Sequence, residues 1–116
     1  MFPVKRYDVA IIGAGPAGAY LAWLLAREGL GVLILDKKIF PRYKPCGGGL
    51  TTRAVKLLPF DISPVVEALA YRVKVGVSGK ILFDYSFPDP IVTLVMRDTF
   101  DGLMIEQARH TGAEFK

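Results

Sequence analysis

Cysteine and histidine occur once each in this 116-residue chain, as Cys46 and His110. A single cysteine excludes an internal disulfide framework and agrees with a reducing, cytoplasmic setting. Without a His/Cys cluster there is no donor set at metal-ligand spacing, so no metal is expected. Lysines and arginines fall singly or in twos (Lys5-Arg6, Lys37-Lys38), never as a basic stripe interleaved with aromatics, and the net charge is a modest +4. That pattern argues against nucleic-acid binding. Internal repeats and low-complexity tracts are absent as well. What remains is a chain with 52% hydrophobic residues, ample for a packed core and of a length that suits one domain or a piece of one.

Lys5 and Arg6 ahead of the apolar stretch Val9 to Ala26 loosely resemble a secretory leader. Asp8 interrupts that pattern, and glycines recur at regular spacing inside the stretch. A membrane span would also leave the apolar run Leu30 to Leu35 unexplained, so neither a leader nor a span is expected.

The most informative residues are Gly13-Ala14-Gly15-Pro16-Ala17-Gly18 and their flanks. Upstream, Tyr7-Asp8-Val9-Ala10-Ile11-Ile12 reads as a buried strand. Downstream, Ala19 to Glu28 is a run of helix formers closed by Gly29, followed by a second strand, Val32-Leu33-Ile34-Leu35, that ends in Asp36. Strand, glycine turn, helix, strand and acid make the βαβ unit of dinucleotide binding, over about residues 6–36. Gly13 permits the tight turn, Gly15 leaves room for a pyrophosphate, and Gly18 lets the helix lie close to the strand. Pro16, Ala17 and Gly18 open the helix at its positive end, where phosphates bind. Asp36 is placed to accept hydrogen bonds from ribose hydroxyls, and Lys37 follows it near the adenosine side. A glycine turn alone is a weak signal; the flanking elements make it specific. Trp23, Leu24 and Leu25 are expected in the core.

Residues 37–49 form a loop rich in proline and glycine, and long ordered loops are usually functional. A short helix capped by a threonine is expected from Thr51 to Leu58, and another helical turn over 64–70. Three strands follow within about 71–95, the first two joined by a Ser78-Gly79 turn, as an antiparallel excursion. The last helix, over about 98–111, has an apolar face of Phe100, Leu103, Met104 and Ala108, with Asp98 and Asp101 approximating a capping box. Ala113-Glu114-Phe115-Lys116 reads as the opening of one more strand, so the α/β fold is expected to be truncated.

Gly-Ala-Gly-Pro-Ala-Gly, the segment Phe40-Pro41-Arg42-Tyr43-Lys44-Pro45-Cys46-Gly47-Gly48-Gly49-Leu50, and Val95-Met96-Arg97-Asp98-Thr99-Phe100-Asp101 together resemble the geranylgeranyl reductase family. That family lies within the FAD-dependent oxidoreductases related to para-hydroxybenzoate hydroxylase. The resemblance runs over the whole chain and implies the N-terminal part of a Rossmann-like FAD-binding domain. It implies a cofactor, FAD, whose ADP part is held by Gly13, Gly15, Gly18 and Asp36. Arg42 and the Cys46-Gly47-Gly48 turn would lie alongside it near the flavin, and Arg97 would reach towards it. The reaction implied is reduction of carbon–carbon double bonds in prenyl groups, with electrons from NADPH or a reduced protein carrier.

For Cys46 the alternatives are a small buried hydrophobe, or a thiol in an open, electropositive setting that shapes the site or relays a proton. For Arg97 the alternative is a helix-end salt bridge. At the level of function the rivals are an FAD-dependent aromatic hydroxylase or halogenase, a non-catalytic nucleotide-binding or interaction module, and a nicotinamide-dependent dehydrogenase. Expected partners are FAD and a prenylated small molecule or lipid, with peripheral membrane association and self-association through an incomplete sheet as further expectations.

Overall fold

Residues 3–116 of the computed structural model are described. Their elements are, in chain order, β1 (Val9–Ile12), α1 (Pro16–Arg27), β2 (Val32–Leu35), β3 (Gly49–Thr51), α2 (Thr52–Leu57), β4 (Val66–Ala70), β5 (Arg72–Val77), β6 (Lys80–Ser86), β7 (Val92–Val95), α3 (Arg97–Thr111) and β8 (Glu114–Phe115). The chain divides into two compact units: the described part of Met1–Lys44 with Arg97–Lys116, and Pro45–Met96.

The first unit is built on a parallel sheet of order β1-β2-β8. β1 and β2 run in register from Val9↔Val32 to Ile12↔Leu35, and β8 adds Leu33↔Glu114 and Ile34↔Phe115. The strands carry the continuous apolar runs of parallel sheets. Here one face is packed, with Ile11, Val32 and Ile34 buried, while Ile12 on the other face of β1 is exposed. α1 buries Ala19, Ala22 and Ala26, a small-residue face that lets another element approach closely. α3 supplies the bulk, burying Phe100, Met104, Ile105 and Ala108. Each large side chain among these contributes about 1.5–3 kcal/mol by leaving water.

The expected core position of Trp23 and Leu24 is corrected here. Alanines take the buried stripe of α1, so Trp23 is only half-buried, stacked on Tyr20 with ring centroids 6.1 Å apart and covered by the Arg27 guanidinium at 4.7 Å. Leu24 is exposed.

The second unit holds an antiparallel sheet of order β3-β7-β4 and a separate β5-β6 hairpin. Thr51 caps α2 by accepting from the Ala54 N–H at 3.2 Å. The hairpin turns through Ser78 (φ 50°) and Gly79 (φ 77°), the left-handed pair a tight two-residue hairpin needs. Three expectations are revised. Residues 64–70 hold one 3-10 turn, Ser63–Val65, and then β4 in place of a helical turn. The loop ends as β3 begins at Gly49. And β7 pairs with β3 and β4, not with the hairpin. The Val66–Ala70 strand carries a register shift between Val66 and Ala68, which spoils the period-two pattern that would have marked it.

Candidate functional site

The glycine turn begins with a ladder bond: Gly13 donates its N–H to the Leu35 carbonyl at 2.7 Å. Its φ of 103° belongs to glycine. At Gly18 the reason is contact, since a Cβ there would lie 2.0 Å from the Gly13 carbonyl oxygen. At Gly15 neither reason holds. Its backbone (φ −68°, ψ 179°) is open to any residue, and a Cβ would meet nothing within 4 Å. The space in front of Gly15 is therefore free for a ligand that must come close to the backbone.

Gly15 is also the N-cap of α1, with no side-chain cap and no acidic residue in the first turn. Pro16 at the first position has no N–H to satisfy. The Ala17 and Gly18 N–H groups lie ahead of the first intrahelical donor, Ala19, which reaches the Gly15 carbonyl at 2.9 Å. Two backbone donors thus face outward at the positive end of a 12-residue helix, a ready anion site.

Beside this turn, at the carboxyl ends of β1 and β2, lies an open cavity of about 510 Å³ lined by Ile12, Gly13, Leu35, Asp36, Lys37 and Lys116. Its lining combines the apolar Ile12 and Leu35 with the charged Asp36, Lys37 and Lys116, a mixture common in small-molecule sites. Asp36 has a further task that sequence reasoning missed. Its Oδ2 accepts from the Ala14 N–H at 2.8 Å and its Oδ1 from the Lys38 N–H at 2.9 Å, so the carboxylate braces the glycine turn. The Ala14 hydrogen bond is the main reason its carboxyl is held below the usual range, with smaller contributions from Lys38 and from the charges of Arg42 and Lys37. Each oxygen keeps a lone pair for a ribose hydroxyl.

Arg42 and Arg97 converge on one residue, Asp101 of α3. Arg97 reaches it in a two-pronged pair at 2.8 and 3.0 Å, and Arg42 Nη2 lies 2.6 Å from Oδ2. Asp101 is fully buried, so the expected capping-box role is corrected: its carboxylate serves two guanidiniums, and Asp98, already inside α3, accepts from the adjacent Thr99 N–H at 2.8 Å. The Arg42 guanidinium also lies over the Phe40 ring at 4.6 Å, and Phe40 meets Phe115 of β8 edge to face at 5.6 Å. Arg42 Nη1 is buried and has no partner. The i,i+4 spacing of Arg97 and Asp101 was the one sequence signal for this cluster.

Cys46, Gly47 and Gly48 belong to the second unit. Cys46 is exposed and its Sγ accepts from the Gly48 N–H at 3.4 Å, which sets aside the buried-hydrophobe alternative. Gly48 (φ 68°) sits against β7, where a Cβ would lie 1.8 Å from the Val95 carbonyl oxygen. Its carbonyl accepts from the Val95 N–H at 2.9 Å, so strand pairing already accounts for this glycine. Gly47 has open space around its Cα.

Among the described residues no group of three or more His, Cys, Asp and Glu could hold a metal, and no helix is long and apolar enough to cross a membrane.

Residues 6–61 match a family described as FAD binding domain. The chain is 34% identical over 111 residues to a geranylgeranyl diphosphate reductase of Rhodobacter capsulatus, covering 94% of this chain and 27% of that protein. It is 33% identical to a flavin-dependent halogenase of Armillaria mellea, covering 90% of this chain and 23% of the halogenase. A geranylgeranyl bacteriochlorophyll reductase-like protein of Thermoplasma acidophilum has the same fold, with a TM-score of 0.81 at 23% identity over 94% of this chain and 29% of that one. The chain thus spans between a quarter and a third of the length of most of these proteins.

Proposed function

We propose that this chain, which belongs to the FAD-dependent oxidoreductases related to geranylgeranyl reductase, holds the adenosine and pyrophosphate of FAD in a protein that reduces prenyl double bonds. The observation that carries the cofactor reading is the open space in front of Gly15, at an uncapped helix N-terminus beside the cavity. Gly13, Gly15, Pro16, Ala17 and Gly18 form the pyrophosphate cradle. Ile12 and Leu35 form the apolar walls for the adenine, and Asp36 and Lys37 take the ribose side. Arg42 and Arg97 supply positive charge, and the unpartnered Arg42 Nη1 fits an acceptor oxygen of the cofactor. FAD, when bound, supplies the hydride chemistry; this chain supplies binding and orientation.

The choice of a prenyl substrate rests on the Cys46-Gly47-Gly48 segment, whose resemblance is to geranylgeranyl reductases. In that reading Cys46, exposed and beside a glycine turn, shapes the substrate side or relays a proton. Electrons come from NADPH or a reduced carrier protein. The halogenase relative, nearly as similar as the reductase, favours a second reading in which the same cradle serves an aromatic halogenase. Supplying the full-length protein with a reductant and either geranylgeranyl diphosphate, or an electron-rich phenol with halide and dioxygen as the oxidant, separates the two. Saturation of the prenyl chain by mass spectrometry is the expected result. Halogenated phenol with an untouched prenyl chain would reverse the assignment.

A further inference from the structure

Two cations meet one buried anion in the first unit, and one of their donors is left over. Asp101 is 0% exposed and Arg42 is 13% exposed at its side chain, yet Arg42 Nη1 is buried without an acceptor. A buried unsatisfied donor costs on the order of 1–3 kcal/mol, which folding alone gives no reason to tolerate. Arg42 and Arg97 both pair with this one carboxylate. Arg42 cannot swing to relieve itself. Asp101 holds it through Nη2, and the Phe40 ring, itself braced by Phe115, covers its face. The charge of Arg42 also contributes, behind the Ala14 and Lys38 hydrogen bonds, to holding the carboxyl of Asp36 below its usual range, and Asp36 itself lines the nucleotide cavity.

We propose that Asp101 is a positioning residue for the cofactor: it clamps Arg42 so that Nη1 is aimed in advance at an anionic oxygen of the FAD pyrophosphate. Two sides of the guanidinium are committed to the protein and the third to the ligand, so the ordering entropy of a long side chain is lost on folding instead of on binding. Asp101 touches no cofactor atom itself. This inference rests on the FAD reading above.

The test is a double-mutant cycle on the full-length protein, with FAD affinity measured by fluorescence titration and folding by thermal melts. Arg42→Ala is expected to weaken FAD binding on the order of ten-fold or more, the range of a charge-assisted hydrogen bond. Asp101→Asn is expected to weaken it comparably. The double variant should lose no more than Arg42→Ala alone, because Asp101 acts through Arg42. Additive losses, or an Asp101→Asn protein that melts earlier yet binds FAD as tightly as wild type, would overturn the proposal and leave Asp101 a purely structural residue.

Should Asp101→Asn fail to fold, the wild type still decides the matter. The Arg42 guanidinium nitrogens, followed by NMR, should be restricted before FAD is added and shift on saturation. A freely rotating guanidinium, or one that FAD does not perturb, refutes the clamp. A wild type that melts cooperatively but binds no FAD at all refutes the cofactor reading itself, a pattern distinct from either failure above.

Discussion

At the scale of single residues, three glycines of one turn have three different causes, and substitution separates them. Gly18→Ala adds a Cβ 2.0 Å from a carbonyl oxygen. Alanine's helix propensity returns up to about 1 kcal/mol, but the overlap costs roughly 1–3 kcal/mol in backbone displacement, so the clash wins. The variant should melt several degrees lower, by calorimetry. Gly15→Ala is the opposite case. Its Cβ enters open space on an ordinary backbone, so the melting temperature should stay near wild type while FAD affinity falls on the order of ten-fold or more. The glycine spacing was legible in the sequence because each role depends on local geometry. The pairing of Asp101 with Arg97 left an i,i+4 signal, but its pairing with Arg42 was not legible, because Arg42 is brought to it only by the tertiary fold.

Among the elements, β8 is the shortest strand of the parallel sheet, and a charged cluster fastens it. Glu114 accepts from Lys5, from the Tyr7 hydroxyl at 2.6 Å and from Lys116 at 3.1 Å. Led by the Lys5 hydrogen bond, these hold its carboxyl at about 2, down from the usual 4.5. The lowered value means that the folded state favours the ionised form. The stabilisation is complete above pH 4.5 and is lost as pH falls from there through about 2. Glu114→Gln removes that dependence. The gap between wild-type and variant denaturation midpoints should therefore narrow as pH falls from 6 to about 2, and a gap constant with pH would refute the assignment. Elements with strong periodicity, α1, β2 and the β5-β6 hairpin, could be placed from sequence. β3 is three residues long and begins at a glycine, and β4 carries an irregular register, so neither leaves a pattern. Their existence is decided by β7, which offers both edges for pairing.

At the scale of the whole molecule, the residues expected at the cofactor fall in two units. The cradle, Asp36, Lys37, Arg42 and Arg97 lie in one, and Cys46, Gly47 and Gly48 in the other. In the proposed reading, the first unit bears on which cofactor is held and the second on which substrate is used. That division explains why the FAD class could be read from sequence more firmly than the reaction: a backbone cradle has a short, local signature, whereas a substrate pocket gathers residues from distant parts of a chain. The account stands or falls on the cradle. Titration of the full-length protein with FAD, alongside its Gly15→Ala variant, tests it most directly. The account predicts saturable binding of one FAD per chain, weakened on the order of ten-fold or more in a variant whose melting temperature is unchanged. A well-folded wild type that leaves FAD fluorescence untouched, or a Gly15→Ala protein that binds FAD as tightly as wild type, would contradict it.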